Sequence, residues 1–311
     1  MNTYRGRHVS SQPWPVASHA STRRGRHQQR NHRRRRGLVA LLVLLLLLLA
    51  YPFVEAHILT VERVSIPGEQ LPADIGRLKV VFLSDIHYGF GFSDADVQNL
   101  VSRINQLKPD LVLMGGDYAT DNLSAVRFFE RLPSIHARYA ILGVIGEADR
   151  GDSPFELSNL QEAMTAAGVT PLVNEVRQVR IGNSSIYIAG ADDAGVGSPD
   201  LRGLASQVSA SDYVIFMSHN PVLIPDAQRA TDRDGRLGWF DLGLFGHTHG
   251  GQMLGFSSLL NIAEDVPSRY LSGLLTENRV DLLISRGVGT SVIPARLLCL
   301  PQIHDIEIAV N

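Results

Sequence analysis

The chain has 311 residues, of which 44% are hydrophobic and one is a cysteine, and its formal net charge is −2. This apolar content can build one large domain or two modest ones, and the single cysteine excludes an internal disulfide and a cysteine-based structural zinc site. Residues 1–54 hold ten arginines and no other charged residue, so the remainder has 19 basic and 31 acidic residues. Such an acidic body does not favour nucleic acid as its partner.

The first segment is predicted to be a topology signal. Residues 1–36 contain few apolar side chains and end in four consecutive arginines, which predicts a disordered cytoplasmic arm. Residues 37–54 are uncharged and long enough to cross a bilayer as one transmembrane helix, a signal anchor. The positive-inside rule then places the rest of the chain on the extracytoplasmic side of the inner (cytoplasmic) membrane. A cleaved export signal is the alternative, because Val54-Glu55-Ala56 loosely matches a cleavage site.

The remainder, residues 58–311, alternates strand and helix patterns. Six short apolar runs predict strands at Leu78–Leu83, Leu111–Met114, Tyr139–Ile145, Tyr213–Met217, Phe240–Phe245 and Val280–Ile284. A helix is predicted after Ser93, where apolar residues recur with helical spacing up to Leu107, and another near Glu156–Ala167. Val176–Ala189 is typical of a hairpin. This alternation predicts a single α/β domain.

Four of the predicted strands are followed by residues of the types that commonly bind metals, aspartate and histidine. These residues are Asp85, His87, Asp117, His219, His247 and His249. Loops at the carboxyl ends of strands build the ligand sites of α/β sheets, so we expect these side chains to converge. The Asp-x-His and His-x-His spacings are interpreted as extended segments that place both side chains on one side. Histidine mixed with carboxylate favours Mn, Fe, Zn or Co over Ca and Mg.

At these residues the chain resembles the calcineurin-like metallophosphoesterase family, whose blocks run D-x-H, G-D, G-N-H-D, a later His and G-H-x-H. The stretches Gly246–Gln252, Tyr270–Gly273 and Ser285–Ser291 are similar to its bacterial membrane-associated phosphodiesterase branch. The resemblance covers roughly residues 58–310. It implies a four-layer α/β/β/α sandwich with mixed sheets, preceded here by the transmembrane helix.

The resemblance also implies a centre of two divalent metal ions, Mn, Fe or Zn. It assigns one ion to Asp85, His87 and His249 and the other to His219 and His247, with Asp117 as the bridge. Two such cations can hold a bridging hydroxide as the nucleophile and stabilise charge during an in-line displacement at phosphorus. Asp117 and His219 are therefore also predicted to be catalytic.

One block departs from the family pattern, because Gly146-Glu147-Ala148-Asp149 stands where G-N-H-D is expected. In the family the Asn ligates the second metal, and the His stabilises the transition state or protonates the leaving group. We predict that Glu147 ligates as a carboxylate and that Asp149 substitutes as a catalytic acid. Losing a general acid forfeits roughly 10²- to 10⁴-fold in rate. The alternative is that Glu147 is a solvated residue beside a degraded site.

These features predict a hydrolase of phosphodiesters or pyrophosphates, with a lipid-linked substrate inferred from the tether. A phosphorylated substrate and the membrane lipid bilayer are the expected partners. The alternative is a metal-binding, catalytically weakened homologue that binds a phosphorylated partner. A third hypothesis, nucleic-acid binding by the arginine arm, predicts a steep dependence of affinity on salt.

Overall fold

The computed structural model describes residues 1–3, 12, 21–254, 256 and 263–310, and the chain divides into two compact units, Met1–Ala50 and Tyr51–Asn311. The first helix, α1, spans Ser21–Glu55. Within the described residues, its segment Arg35–Glu55 is the only one long and apolar enough to cross a membrane, a property shared by signal sequences. Residues 21–36, which the sequence predicts to be disordered, form the first part of this helix. Arginine and glutamine extend an already nucleated helix at little cost. Residues 4–11 and 13–20 of the arm lie outside the described part.

The second unit contains two six-stranded sheets. Their strands are β1 Thr60–Pro67, β2 Arg77–Leu83, β3 Leu111–Met114, β4 Ala140–Gly143, β5 Thr170–Pro171, β6 Glu175–Ile181, β7 Ser184–Gly190, β8 Val214–Ser218, β9 Leu242–Phe245, β10 Gly273–Glu277, β11 Val280–Ile284 and β12 Gln302–Ala309. The first sheet runs in the order β1-β12-β2-β3-β4-β5 and the second in the order β10-β11-β9-β8-β7-β6. Both sheets are mixed, because β12 pairs antiparallel with β2 and β10 antiparallel with β11.

Helices cover the outer face of each sheet. They are α2 Asp94–Leu107, α3 Asn122–Arg131, α4 Pro154–Ala166, α5 Leu201–Ala205 and α6 Ile224–Arg229, with short 3₁₀ turns at Pro221–Leu223, His249–Gly251 and Ser268–Tyr270. One apolar core lies between the sheets and joins Phe82 and Leu113 of the first to Ile188 and Met217 of the second. Two further cores lie between the helices and the outer faces. The four-layer α/β/β/α sandwich is thus confirmed.

Local sequence signals account for several of these elements. The side chain of Ser93 accepts from the N–H of Asp96, and that of Asp96 accepts from the N–H of Ser93, which closes a capping box at the start of α2. The predicted apolar stripe of α2 is buried from Val97 to Ile104. The predicted hairpin is β6 and β7. The strand predicted at Tyr139–Ile145 is shorter, Ala140–Gly143, because residues that follow it turn into the site described below.

The sheet topology places the amino end of β1 at the same edge of its sheet as the loops that follow the parallel strands. Strands β2, β3 and β4 are parallel, as are β7, β8, β9 and β11, so their carboxyl ends share an edge within each sheet. Strand β1 runs parallel to β12 and hence antiparallel to β2. The amino end of β1, at Thr60, therefore lies at the same edge as the carboxyl end of β2.

Candidate metal centre

Each strand that carries a predicted ligand delivers it at its carboxyl end. Asp85 and His87 follow β2, Asp117 follows β3, Glu147 follows β4, His219 follows β8, and His247 and His249 follow β9. The structure brings all seven together. Their donor atoms form three overlapping groups in which every donor atom lies within 4.8 Å of the others: Asp85 with His87 and His249, Glu147 with His219 and His247, and Asp85 with Asp117 and His219.

The first and second groups are separate clusters of donor atoms. In the first, the Nε2 atoms of His87 and His249 lie 3.0 Å apart, and Asp85 Oδ1 lies 3.7 Å from Nε2 of His249. In the second, the Glu147 carboxylate contacts two imidazoles, with Oε2 at 2.8 Å from His219 Nε2 and Oε1 at 2.8 Å from His247 Nδ1. Each cluster is therefore the size of one metal coordination shell.

Asp117 lies between the two clusters. Its Oδ2 is 3.5 Å from Nε2 of His87 in the first cluster and 3.5 Å from Nε2 of His219 in the second. Its other oxygen accepts a hydrogen bond of 3.1 Å from the N–H of Ala148. A carboxylate at equal distance from both clusters has the position that a bridging ligand between two ions requires.

The local backbone of the predicted ligands differs from the interpretation made from spacing. Asp85, His87, Asp117, His247 and His249 all have positive φ, between 47° and 68°. The extended conformation inferred for the Asp-x-His and His-x-His segments is therefore wrong. Non-glycine residues rarely adopt this left-handed region, which costs on the order of 1–3 kcal/mol each and persists where surrounding structure enforces it. Such strain is typical of functional sites.

Two glycines permit the loops after β3 and β4 to approach each other. Gly116 has φ of 88°, and a Cβ there would lie 2.7 Å from the main-chain nitrogen of Gly146 and 2.9 Å from Nδ1 of His219. A Cβ at Gly146 would collide with the Asp117 carboxylate. Both positions exclude a side chain because the backbone packs directly against the ligands.

The donor atoms fit a metal better than they fit one another. Among the described residues, four buried side-chain polar atoms of this site make no well-formed hydrogen bond: Asp85 Oδ2, Glu147 Oε2, His219 Nε2 and His247 Nδ1. Although the two imidazole nitrogens lie 2.8 Å from Glu147 oxygens, these contacts lack the angles of a hydrogen bond. Buried polar atoms in folded proteins are nearly always paired. A cluster of unpaired carboxylate oxygens and imidazole nitrogens is what divalent ions of the Mn, Fe or Zn type would satisfy.

Glu147 and His219 each shift the pKa of the other. Burial acts to raise the pKa of Glu147, but the adjacent imidazoles of His219 and His247 outweigh it and hold that pKa below its usual range. Burial acts to lower the pKa of His219, whereas the carboxylates of Asp117 and Glu147 raise it well above its ordinary value. Glu147 is therefore a carboxylate at neutral pH, the form in which it can ligate a cation.

The two acidic residues of Gly146–Asp149, the block that departs from the family pattern, lie in different surroundings. Glu147 faces the site, whereas Ala148 contributes only its main-chain N–H. The Asp149 carboxylate is fully buried and accepts from the N–H groups of Ala119, at 3.1 Å, and Gly146, at 3.3 Å. Its oxygens therefore support the loops after β3 and β4, and it joins none of the three donor groups. Its role as an acid stays a prediction that this placement does not favour.

Two contributors to the site have no sequence signal of their own. Asp265 Oδ1 lies 3.5 Å from Nε2 of His247, and its other oxygen accepts from the Asn220 side chain. Asp265 does not follow a strand, so the strand-end pattern could not identify it.

The second contributor is Arg296. Its guanidinium is fully buried, lies 3.4 Å from Nδ1 of His249 and donates to the carbonyls of Arg286, Gly289 and Cys299. A buried arginine with main-chain partners cannot be recognised from an apolar sequence context.

Two groups of histidines and carboxylates at one edge of an α/β/β/α sandwich define a class of hydrolase, the metal-dependent phosphoesterases. The family model described as calcineurin-like phosphoesterase matches residues 78–251. This is more than half of the chain, which therefore belongs to the calcineurin-like phosphoesterase family.

Several relatives cover most of the chain. It is 28% identical over 257 residues to metallophosphoesterase YkuE of Bacillus subtilis (strain 168), an alignment that covers 81% of this chain and 86% of that protein. It is 29% identical over 232 residues to phosphodiesterase YaeI of Escherichia coli (strain K12), with 74% of this chain and 82% of that protein covered. It is 28% identical over 255 residues to the transmembrane protein with metallophosphoesterase domain of Bos taurus, covering 76% of this chain and 54% of that protein.

Proposed function

We propose that the protein hydrolyses phosphodiester or pyrophosphate bonds, including those of lipid-linked substrates, with two divalent ions of the Mn, Fe or Zn type. The family membership supports metal-dependent hydrolysis of phosphoesters. The similarity to a protein named phosphodiesterase favours the diester class. The single observation that carries the proposal is the position of Asp117 Oδ2, equidistant from the two ligand clusters.

The residues of this chain have distinct tasks in the proposed reaction. Asp85, His87 and His249 would hold one ion, His219, His247 and Glu147 would hold the other, and Asp117 would contribute a carboxylate oxygen to both. When bound, the ions activate water and polarise the phosphate. The N–H of Ala148 orients the Asp117 carboxylate. No imidazole stands at position 148, so the leaving group has to depart without the acid that the family pattern supplies.

The proposed location is the inner membrane. The apolar segment within Arg35–Glu55 supports a single-pass anchor, and the ten arginines before residue 54 support a cytoplasmic N-terminus. The catalytic unit then lies on the extracytoplasmic side, with residues 1–36 as the cytoplasmic arm, 37–54 as the anchor and 58–311 as the catalytic domain. Its partners are a phosphorylated substrate and the bilayer. Its acidic composition does not favour nucleic acid.

A weakened homologue that binds a phosphorylated partner is the second candidate function. The methyl side chain of Ala148, in place of the family His, favours it, because the site then lacks a general acid. The two candidates share the metal centre and differ only in turnover.

Turnover of bis(p-nitrophenyl) phosphate by the full chain in detergent with Mn²⁺ tests the proposal. We expect turnover by the wild type and a loss of about 100-fold or more in His219→Ala, because that variant lacks a metal ligand. His136→Ala, which removes an exposed histidine remote from the ligands, is the matched control and should retain full activity. If the wild type binds two ions and still shows no turnover, the binding function replaces the enzymatic one.

A further inference from the structure

The edge of the second unit that carries the metal centre also carries the end of the predicted membrane segment. Glu55 is fully buried, and its carboxylate accepts from the N–H groups of Leu298, at 3.0 Å, and Cys299, at 2.6 Å. The carbonyl of Pro52 accepts from the N–H of Arg296 at 2.9 Å. The chain therefore leaves the apolar segment tied to the loop after β11, and it enters β1 at the same edge of the sheet.

Exposed apolar side chains occupy the loops at this edge. Leu254 is 64% exposed and Phe256 49% exposed in the loop after β9, and Val292 is 58% and Leu298 66% exposed in the loop after β11. We call these four residues the apolar rim. Large apolar side chains that protrude together toward solvent mark an interaction surface.

The two rim loops are joined to each other and held firmly. Met253 pairs with Leu297 in a parallel bridge, and the N–H of Leu254 donates to the carbonyl of Leu297 at 3.0 Å. The buried amide of Gln252 lies within 2.9 Å of three carbonyls in the second loop, those of Ser291, Ile293 and Ala295. The exposure of the rim is therefore a built feature of the fold.

The backbone beneath the rim is also strained. Val292 has φ of 61° and Leu298 has φ of 53°, in the left-handed region that β-branched and bulky residues avoid. Neither side chain gains a buried position in return, because both are exposed. An unfavourable backbone that presents apolar side chains outward is consistent with selection for an external contact.

We propose that the apolar rim inserts into the lipid interface of the membrane that holds the protein, so that the metal centre opens toward lipid headgroups. The occupant follows from chain connectivity, because Glu55 bonds directly to the rim residue Leu298 at the end of the membrane segment. Leucine, valine and phenylalanine partition into the boundary between headgroups and acyl chains. The docking does not depend on the proposed hydrolysis, although it explains access to a lipid-linked phosphodiester.

Fluorescence quenching by brominated phosphatidylcholine tests the inference in the full chain, reconstituted at one chain per nanodisc. The variants are Leu254→Trp and Leu298→Trp in a Trp14→Phe background, where buried Trp239 gives a constant signal. The matched control is Leu237→Trp, an equally exposed leucine at 67% that precedes the amino end of β9, at the edge opposite the site. We expect brominated acyl chains to lower the emission of both rim tryptophans by about twofold or more and to leave the control unchanged.

Three results would overturn the docking surface. The first is equal quenching at residues 254, 298 and 237. The second is a blue shift of the rim tryptophans without quenching, which would show that protein rather than lipid covers the rim. The third is quenching that disappears at high salt, because an apolar contact survives screening and an electrostatic one does not. The readout requires no turnover, so it fails or succeeds independently of the proposed activity.

Discussion

Glu147 Oε2 lies 2.8 Å from Nε2 of His219, inside the donor group that the family pattern assigns to the second metal. A carboxylate in this position adds a negative charge where the family pattern has a neutral amide. If two divalent ions and a hydroxide were bound beside Asp85 and Asp117, an ionised Glu147 would bring the formal charge of the centre to zero. A less positive centre attracts a phosphodiester less strongly. We therefore expect the substitution to lower the rate more than it lowers metal retention.

Metal content is expected to follow the two clusters. Purified wild type should hold about two ions per chain, and His219→Ala about one, because this histidine serves the second cluster and touches Asp117. Atomic emission analysis after removal of loosely bound metal measures both. His136→Ala should match the wild type. Equal contents in wild type and His219→Ala would contradict the assignment of the second site.

Restoring the family block should raise the rate in a manner that depends on the leaving group. The double variant Glu147→Asn with Ala148→His regains a general acid, so hydrolysis of a diester with a poor alkyl leaving group should rise by roughly 10²- to 10⁴-fold. A p-nitrophenyl ester needs no such acid and should change little. The single variant Glu147→Asn separates the charge effect from the acid effect. Similar gains on both esters would show that the added histidine does not act as an acid.

Glu55 is expected to stabilise the catalytic unit and to remain in the mature chain. Glu55→Ala leaves the N–H groups of Leu298 and Cys299 without their acceptor, which should lower the free energy of unfolding by about 1–3 kcal/mol. Glu55→Gln keeps one acceptor oxygen and should lose less. Urea unfolding in detergent measures the difference.

The intact mass of the membrane-extracted protein should show that residues 37–54 are retained. A chain that begins near residue 57 would instead support the cleaved signal.

Asp241 is expected to make stability fall with rising pH. Burial raises the pKa of this carboxyl to about 7, whereas an unfolded aspartate titrates near 4, so the folded state holds the extra proton between these values. The stabilising contribution of this carboxyl is thus greatest below pH 4 and is lost completely above pH 7.

The variant Asp241→Asn removes the ionisable carboxyl but keeps an oxygen that can accept from the N–H of Val214. In the wild type this N–H lies 2.7 Å from the Asp241 carboxylate. It should be more stable than wild type by on the order of 2–4 kcal/mol at pH 8, with no difference near pH 4. Urea unfolding at both pH values measures it. Glu130→Gln, at an exposed carboxylate, is the control. A gain that is equal at both pH values would contradict the role of ionisation.

Much of the architecture is predictable from local pattern. The helical spacing after Ser93, the capping box with Asp96 and the apolar strand runs each depend on neighbours a few residues apart, and all appear in the structure. None of the strands β1, β5, β10 and β12 contains an apolar run of four residues, so all four went unpredicted, including the terminal pair β1 and β12. Their pairing joins Thr60 to Gln302 across almost the whole second unit.

The residue types at the strand ends, the position of the charge-free segment and the departure from the family block can all be read from the sequence. Three features are visible only in the folded chain: Glu147 lies 2.8 Å from His219, five of the predicted ligands have left-handed backbone, and Glu55, at the end of the apolar segment, accepts hydrogen bonds from the loop beside the site. The reason is physical. Periodicity and residue chemistry are local properties, whereas a contact between Glu55 and Cys299, 244 residues apart, depends on the packing of the whole chain.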